Sequence, residues 1–286
     1  MQSVTAQQQV ILTGLPRSGT TLTCHLLNKL SDCVALHEPL VPLDLIAYKR
    51  GDLISVIADY FTTQRLQILQ KGTAVSKSFG GQVPDNPMAG VDPNTGKRIR
   101  VLDGRLVQIN KKLSNDFYLA IKQPAFFTAI LKDLVASGLF NCFAVVRNPL
   151  SVLLSWNSVE MPVSQGRVPA AEAFAPELKQ QLDHIPDVYD RQVFLLDWFF
   201  QQYINYLPSE HILFYEETIK SNGKSLGKIS PLAYHLSESL SSKNNNHLYS
   251  GTLKKILLEK ILNKKEGAFW EFYSEEQLVS LAGVKS

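Results

Sequence analysis

The residues best placed for chemistry begin in the run VILTGLPRSGTTLTCHLLNKL, residues 10–30. Val10, Ile11 and Leu12 form a short apolar stretch that stops at Gly14, and Leu22, Leu26, Leu27 and Leu30 then recur at helical spacing. A strand, a glycine loop and a helix start aim several backbone N–H groups at one point, backed by the positive end of the helix dipole. Gly14 and Gly19 keep the separation of the nucleoside-triphosphatase loop G-x-x-x-x-G-K-[ST], but Thr20 stands where the lysine should be and the cation sits inside the loop, at Arg17. Such a loop is poorly equipped for metal-assisted γ-phosphoryl transfer and suits a smaller anion that needs no metal. A second cluster lies at Cys142–Ser158, CFAVVRNPLSVLLSWNS. Its apolar, partly β-branched run Phe143–Val146 predicts a strand buried on both faces, ending in Arg147. Pro149 suits the first turn of a following helix, on which Ser155 lies, so Arg147 and Ser155 can converge on one anion.

These two segments resemble a known family. Gly14-Leu15-Pro16-Arg17-Ser18-Gly19-Thr20-Thr21-Leu22 is similar to the 5′-phosphosulfate loop of sulfotransferases that use 3′-phosphoadenosine 5′-phosphosulfate (PAPS), in the form most similar to tyrosylprotein sulfotransferases and bacterial relatives. Arg147-Asn148-Pro149 with Ser155 resembles the family's 3′-phosphate motif. The resemblance covers residues 9–60 and 116–158. It implies that Arg17, Ser18, Gly19, Thr20 and Thr21 hold the 5′ end of PAPS, and that Arg147 and Ser155 grip the 3′-phosphate that distinguishes it from ATP.

Two catalytic roles follow from the same resemblance. Glu38 lies 21 residues beyond Arg17, the separation at which tyrosylprotein sulfotransferases place a catalytic glutamate that takes the proton of the attacking acceptor. Lys122, in Lys122-Gln123-Pro124, resembles a Lys-x-Pro segment whose lysine neutralises charge on the leaving phosphate, alongside Arg17. Cytosolic sulfotransferases carry a catalytic histidine two residues after that lysine, where this chain has Pro124. Glu38 is therefore the first candidate for the base and His37 the second. His211–Glu217 resembles a late family strand and is read as a core strand with structural Tyr215 and Glu216; Tyr249–Lys255, with Lys254 and Lys255, is the candidate for a basic loop closing over the nucleotide.

The elements that must carry these residues follow from hydrophobic patterning. Strands are expected near 9–13, 33–37, 117–122, 141–147 and 210–216, and helices near 19–31, 51–70, 124–137, 149–158, 189–206, 252–263 and 275–282. Alternation of this kind predicts βαβ units and a mostly parallel central sheet of about five strands with helices on both faces, and the resemblance implies that this α/β fold is the P-loop-like three-layer one. Gly14, Glu38, Lys122 and Arg147 would all stand at carboxyl ends of strands, where ligands bind on such sheets. Two Gly- and Pro-rich insertions, 72–116 and 158–188, are expected to overhang the acceptor side; in the first, Asp103-Gly104 between apolar alternations signals a hairpin. Residues 220–248, with Asn244-Asn245-Asn246, read as polar and mobile, without a function.

At 286 residues and 45% hydrophobic, the chain can bury the core of one α/β domain spanning 1–286. Its net charge of +3 fits a local basic site for an anionic nucleotide and is too small to suggest nucleic acid as the main partner. Cys24, Cys33 and Cys142 lack metal-type spacing, and an odd count among apolar neighbours predicts reduced thiols. MQSVTAQQQ has neither a basic nor an apolar leader region, and no long apolar run follows, so a cytoplasmic enzyme without a membrane anchor is expected. The expected activity is transfer of a sulfuryl group from PAPS, without metal, to a hydroxyl or amine of a small metabolite. The alternatives are a P-loop kinase or NTPase, a sulfotransferase for protein tyrosine or carbohydrate, and a non-catalytic nucleotide-binding protein. The oligomeric state is not readable from the chain.

Overall fold

A run of apolar residues cut off by Gly14 makes the first strand of a computed structural model that describes residues 5–244, 249 and 251–282. In chain order the strands are β1 (Gln9–Gly14), β2 (Cys33–His37), β3 (Thr73–Ser78), β4 (Met88–Val91), β5 (Arg98–Arg100), β6 (Gly104–Gln108), β7 (Tyr118–Lys122), β8 (Asn141–Val146) and β9 (Ile212–Phe214). The helices are α1 (Thr20–Leu27), α2 (Arg50–Lys71), α3 (Pro124–Ala129), α4 (Leu131–Ala136), α5 (Pro149–Asn157), α6 (Pro169–Glu172), α7 (Pro176–Asp183), α8 (Val188–Tyr206), α9 (Tyr215–Lys220), α10 (Gly251–Asn263) and α11 (Glu275–Ala282).

Five strands form one all-parallel sheet in the order β2-β7-β1-β8-β9, with helices packed around it. The central strands read as continuous apolar runs because both faces are covered: Val10, Ile11, Leu12, Leu119, Ala120 and Ile121 are fully buried. From β1 the chain leaves toward one edge of the sheet and from β8 toward the other. The carboxyl ends of these neighbours therefore flank a topological switch point, where open α/β sheets bind ligands. Among the described residues, no helix is long and apolar enough to cross a membrane.

Three expectations are corrected. Asp103-Gly104 does not join a hairpin: β6 pairs antiparallel with β3, and β5 pairs with β4. The tight turn lies instead at 92–97, where Asp92 Oδ1 accepts from the N–H groups of Asn94 (2.8 Å) and Thr95 (3.0 Å) and Gly96 takes a φ of +65°. Asp103 spends its carboxylate on the Gly80 N–H (3.2 Å), across the insertion rather than within a hairpin. The single helix expected over 124–137 is two, because buried Ile130 leaves helical geometry (φ −114°, ψ 16°). Residues 220–244 are not a loose polar tract: Leu226, Ile229, Ala233 and Leu236 are buried in the core. Asn245 and Asn246 lie outside the described residues.

Candidate active site

Gly14 closes β1 with a φ of +144°, and a Cβ there would lie 2.5 Å from the Val145 carbonyl oxygen, so only glycine lets the loop lie against β8. The loop is then pinned by three hydrogen bonds. Leu15 N–H and Ser18 Oγ both donate to the Val145 carbonyl, at 3.3 and 2.8 Å, and Trp156 Nε1 donates to the Pro16 carbonyl at 2.7 Å. Ser18 also spends its N–H on the Leu15 carbonyl (3.1 Å), so both its donors are taken up within the protein, one by the loop and one by β8. Gly19 caps α1 at a φ of +102° with no side-chain cap, leaving the first-turn N–H groups of Gly19, Thr20 and Thr21 directed out of the helix end. The carbonyl of Gly19 accepts from Thr23 N–H at 2.9 Å and starts the helical ladder.

The cations converge beside this loop. Arg17 adopts the left-handed region (φ +70°), and its guanidinium donates to Ser155 Oγ (3.4 Å) and Asn86 Oδ1 (3.3 Å). Arg147 is buried at the end of β8 and donates to the Arg17 carbonyl (3.1 Å), the Lys243 carbonyl (2.5 Å) and Asn244 Oδ1 (2.8 Å). Its guanidinium carbon stands 4.6 Å from the centre of the Tyr215 ring. Among the described residues, no carboxylate lies within ion-pair distance of Arg17 or Arg147. Burial, then repulsion from Arg98 and Arg147, pulls the Arg17 guanidinium down to about 10.

On the other side of β1, Glu38 follows β2 with a φ of +45°, unusual for a residue with a side chain and of the kind that collects at functional sites. Its N–H donates to the Lys122 carbonyl at the end of β7 (2.8 Å). That turn aims the carboxylate at two ammonium groups: Lys122 Nζ is 2.7 Å from Oε1 and Lys77 Nζ 2.5 Å from Oε2. Burial alone would raise the Glu38 pKa, but Lys122, the His37 contact and Lys77 outweigh it and hold the carboxylate well below its usual range. His37 is only 1% exposed, with Nε2 3.5 Å from Glu38 Oε1 and Nδ1 buried without a partner. Burial, with Lys122 nearby, lowers its pKa to about 4, so at neutral pH a neutral imidazole touches an ionised glutamate.

Arg17, Gly19, Thr20, Thr21, His37, Glu38, Lys122 and Arg147 thus line one cavity of about 790 Å³. Ser155 is fully buried behind it and reaches it through Arg17. Lys254 and Lys255 do not line it; α10 packs on α5 instead. Both insertions do, 72–116 with Asn86, Met88 and Arg98, and 158–188 with Met161, Val163 and Val168.

The sequence reading missed several contributors. Tyr215, expected inside a core strand, instead starts α9 and walls the cavity, pressed so close to Gly19 that a Cβ there would meet its ring at 2.7 Å. Glu216 accepts from the Asn148 N–H (3.0 Å) and from Asn244 Nδ2 (2.9 Å), so it orients the partner of Arg147. Their position at the carboxyl end of a strand, shared with Gly14, Glu38, Lys122 and Arg147, was the signal available. Nothing local marks Arg98, Lys243 or Asn244. Cys24, Cys33 and Cys142 are free and buried, their thiols pushed up to about 12 by burial, away from thiolate chemistry. No protein-family model matches the chain, and no curated protein matches it significantly.

Proposed function

We propose that the chain is a PAPS-dependent sulfotransferase that acts on a hydroxyl or amine of a small, largely apolar acceptor. The observation that carries this reading is the pair of cations at the switch point, Arg17 and Arg147, in which the Arg147 guanidinium donates to the Arg17 backbone carbonyl (3.1 Å) and neither side chain has a carboxylate partner among the described residues. Two fixed cations at neighbouring strand ends match a ligand with two anionic ends better than a single phosphate chain. Thr20, in place of the P-loop lysine, argues against γ-phosphoryl transfer.

In this reading the first-turn N–H groups at Gly19, Thr20 and Thr21, with Arg17, hold the 5′ end of the nucleotide, and Arg147 holds the 3′-phosphate, while Ser155, buried behind the cavity and expected to share that contact, braces Arg17 instead. Glu38, already ionised, takes the proton as the acceptor oxygen or nitrogen bonds to sulfur and the bond from sulfur to the bridging oxygen breaks. Lys122 turns from Glu38 toward the bridging oxygen, where adenosine 3′,5′-bisphosphate departs with the added charge. Both insertions and α3 present apolar groups to the cavity (Met88, Phe126, Met161, Val163, Val168), which suits a small organic acceptor. The free cysteines support a reducing compartment, the cytoplasm.

The test is calorimetry with adenosine 3′,5′-bisphosphate and with Mg·ATP. The reading expects the bisphosphate to bind in the presence of a chelator and more tightly than ATP. Uptake of Mg·ATP without uptake of the bisphosphate would overturn it in favour of a kinase or NTPase.

A further inference from the structure

Arg98 belongs to none of the segments that suggested the site, yet it reaches into it. It opens β5, on the inserted hairpin that turns at 92–97. Its backbone is fixed by its N–H donating to the Ser158 carbonyl (2.9 Å) and by a parallel bridge to Val159, so the first insertion is stitched to the second at this residue. Its side chain lines the cavity, and its Nη2 is buried with no hydrogen-bond partner. An arginine terminal nitrogen left in that condition loses its hydration and gains nothing in return. Among the described residues no carboxylate lies within ion-pair distance of Arg98.

A second contact runs from the same insertion to the phosphate loop. Asn86 Oδ1 accepts from Arg17 at 3.3 Å and from the Met88 N–H, at the start of β4, at 3.2 Å. Arg98 thus enters from the strand paired with the one Asn86 anchors. Of the neighbouring charges, Arg98 disturbs Arg17 more than Arg147 does. That influence and the hydrogen bond from Arg17 to Asn86 both set this insertion beside the Arg17 end of the cavity.

We propose that Arg98 is a third anion-binding residue, which grips the sulfonate and 5′-phosphate end of the nucleotide from the insertion side, opposite the loop. This rests on the sulfotransferase reading above. Its consequence is that the donor cannot be fully bound unless the 72–116 insertion is seated on the 158–188 insertion, so that donor binding orders the wall that meets the acceptor.

The experiment compares the full chain with Arg98→Gln and Arg98→Lys by calorimetry and thermal melting, using adenosine 3′,5′-bisphosphate and adenosine 3′-monophosphate as probes. Arg98→Gln should weaken the bisphosphate about tenfold or more, the loss expected for one charge-assisted contact. It should leave affinity for the 3′-monophosphate, which has no 5′ anion, unchanged, and Arg98→Lys should recover part of the loss. Without ligand, Arg98→Gln should melt no lower than the parent, since one of three crowded like charges has gone. Bisphosphate affinity within twofold of the parent would overturn the role of Arg98 and leave the sulfotransferase reading standing. Equal weakening toward both probes, or a lowered melting point without ligand, would overturn it by making Arg98 a prop of the hairpin. A parent chain that ignores the bisphosphate would overturn both.

Discussion

Arg147 Nη1 donates to the carbonyl oxygen of Arg17 across 3.1 Å, so the cation at the end of β8 holds the backbone of the loop that follows β1. Arg17 needs that support, because a residue with a side chain in the left-handed region is strained (φ +70°). The two ends of the candidate nucleotide site are one mechanical unit, and Ser155 joins it by accepting from Arg17 Nε at 3.4 Å.

Loss of Arg147 should therefore cost more than one phosphate contact. Arg147→Ala is expected to weaken adenosine 3′,5′-bisphosphate by about 30- to 100-fold, because a charge-assisted partner and the pin on Arg17 disappear together. Ser155→Ala, which removes a single long hydrogen bond, should cost only a few-fold. In a calorimetric double-mutant cycle, Arg147→Ala and Arg17→Ala should be strongly non-additive. Additive losses would mean that the two arginines bind independently and that the hold of Arg147 on the Arg17 backbone does not position the Arg17 side chain.

The pairing of Lys122 with Glu38 at 2.7 Å makes an opposite prediction for the catalytic side. Glu38→Gln should abolish turnover while leaving bisphosphate affinity unchanged or slightly tighter, since it frees the Lys122 ammonium for the ligand. Lys122→Met should lower kcat at least about 100-fold, the size of losing one preorganised donor at developing charge, about 2.7–4 kcal/mol. Steady-state rates with any accepted acceptor decide this. Retained turnover in Glu38→Gln would remove Glu38 from the role of base.

Much of this arrangement was legible in the chain, for definite reasons. A parallel strand covered on both faces has to be a continuous apolar run, so β1, β2, β7 and β8 lie within a residue of where the pattern put them, and their last residues mark one edge of the sheet. The loop from Gly14 to Gly19 is equally local, because its glycines answer to the positive φ angles of a tight turn between β1 and α1. What stayed hidden depends on distant partners. The polar strands β3 to β6 choose their neighbours through the tertiary fold, so the Asp103-Gly104 signal lost to the register of β6 on β3. Asn244 reaches Arg147 over 97 positions, and Arg98 reaches the cavity only because Ser158 fixes its backbone. No window of sequence contains either pair.

His37 supplies a prediction that separates the folded site from a denatured chain. Its imidazole is 1% exposed and its Nδ1 has no partner, and burial, reinforced by the Lys122 charge, takes its pKa from an ordinary 6.5 to about 4. Between those values the unfolded chain binds a proton that the folded chain refuses. Stability must therefore fall as pH drops from about 6.5 toward 4, by roughly 3 kcal/mol for the whole shift. Glu38 acts in the same direction in a lower window: its depressed pKa contributes stability above the ordinary value of 4.5, which is lost only as pH falls through the folded pKa. The interval from pH 6.5 to 4.5 thus belongs to His37. Melting temperature should decline across it in the parent chain and decline less in His37→Gln, while Glu38→Gln should keep the slope of the parent there. The rate profile should carry no acid limb near 6.5, because the histidine stays neutral and the glutamate stays ionised throughout that range. A limb at 6–7 that vanishes in His37→Gln would make the imidazole, not the carboxylate, the group that takes the acceptor's proton.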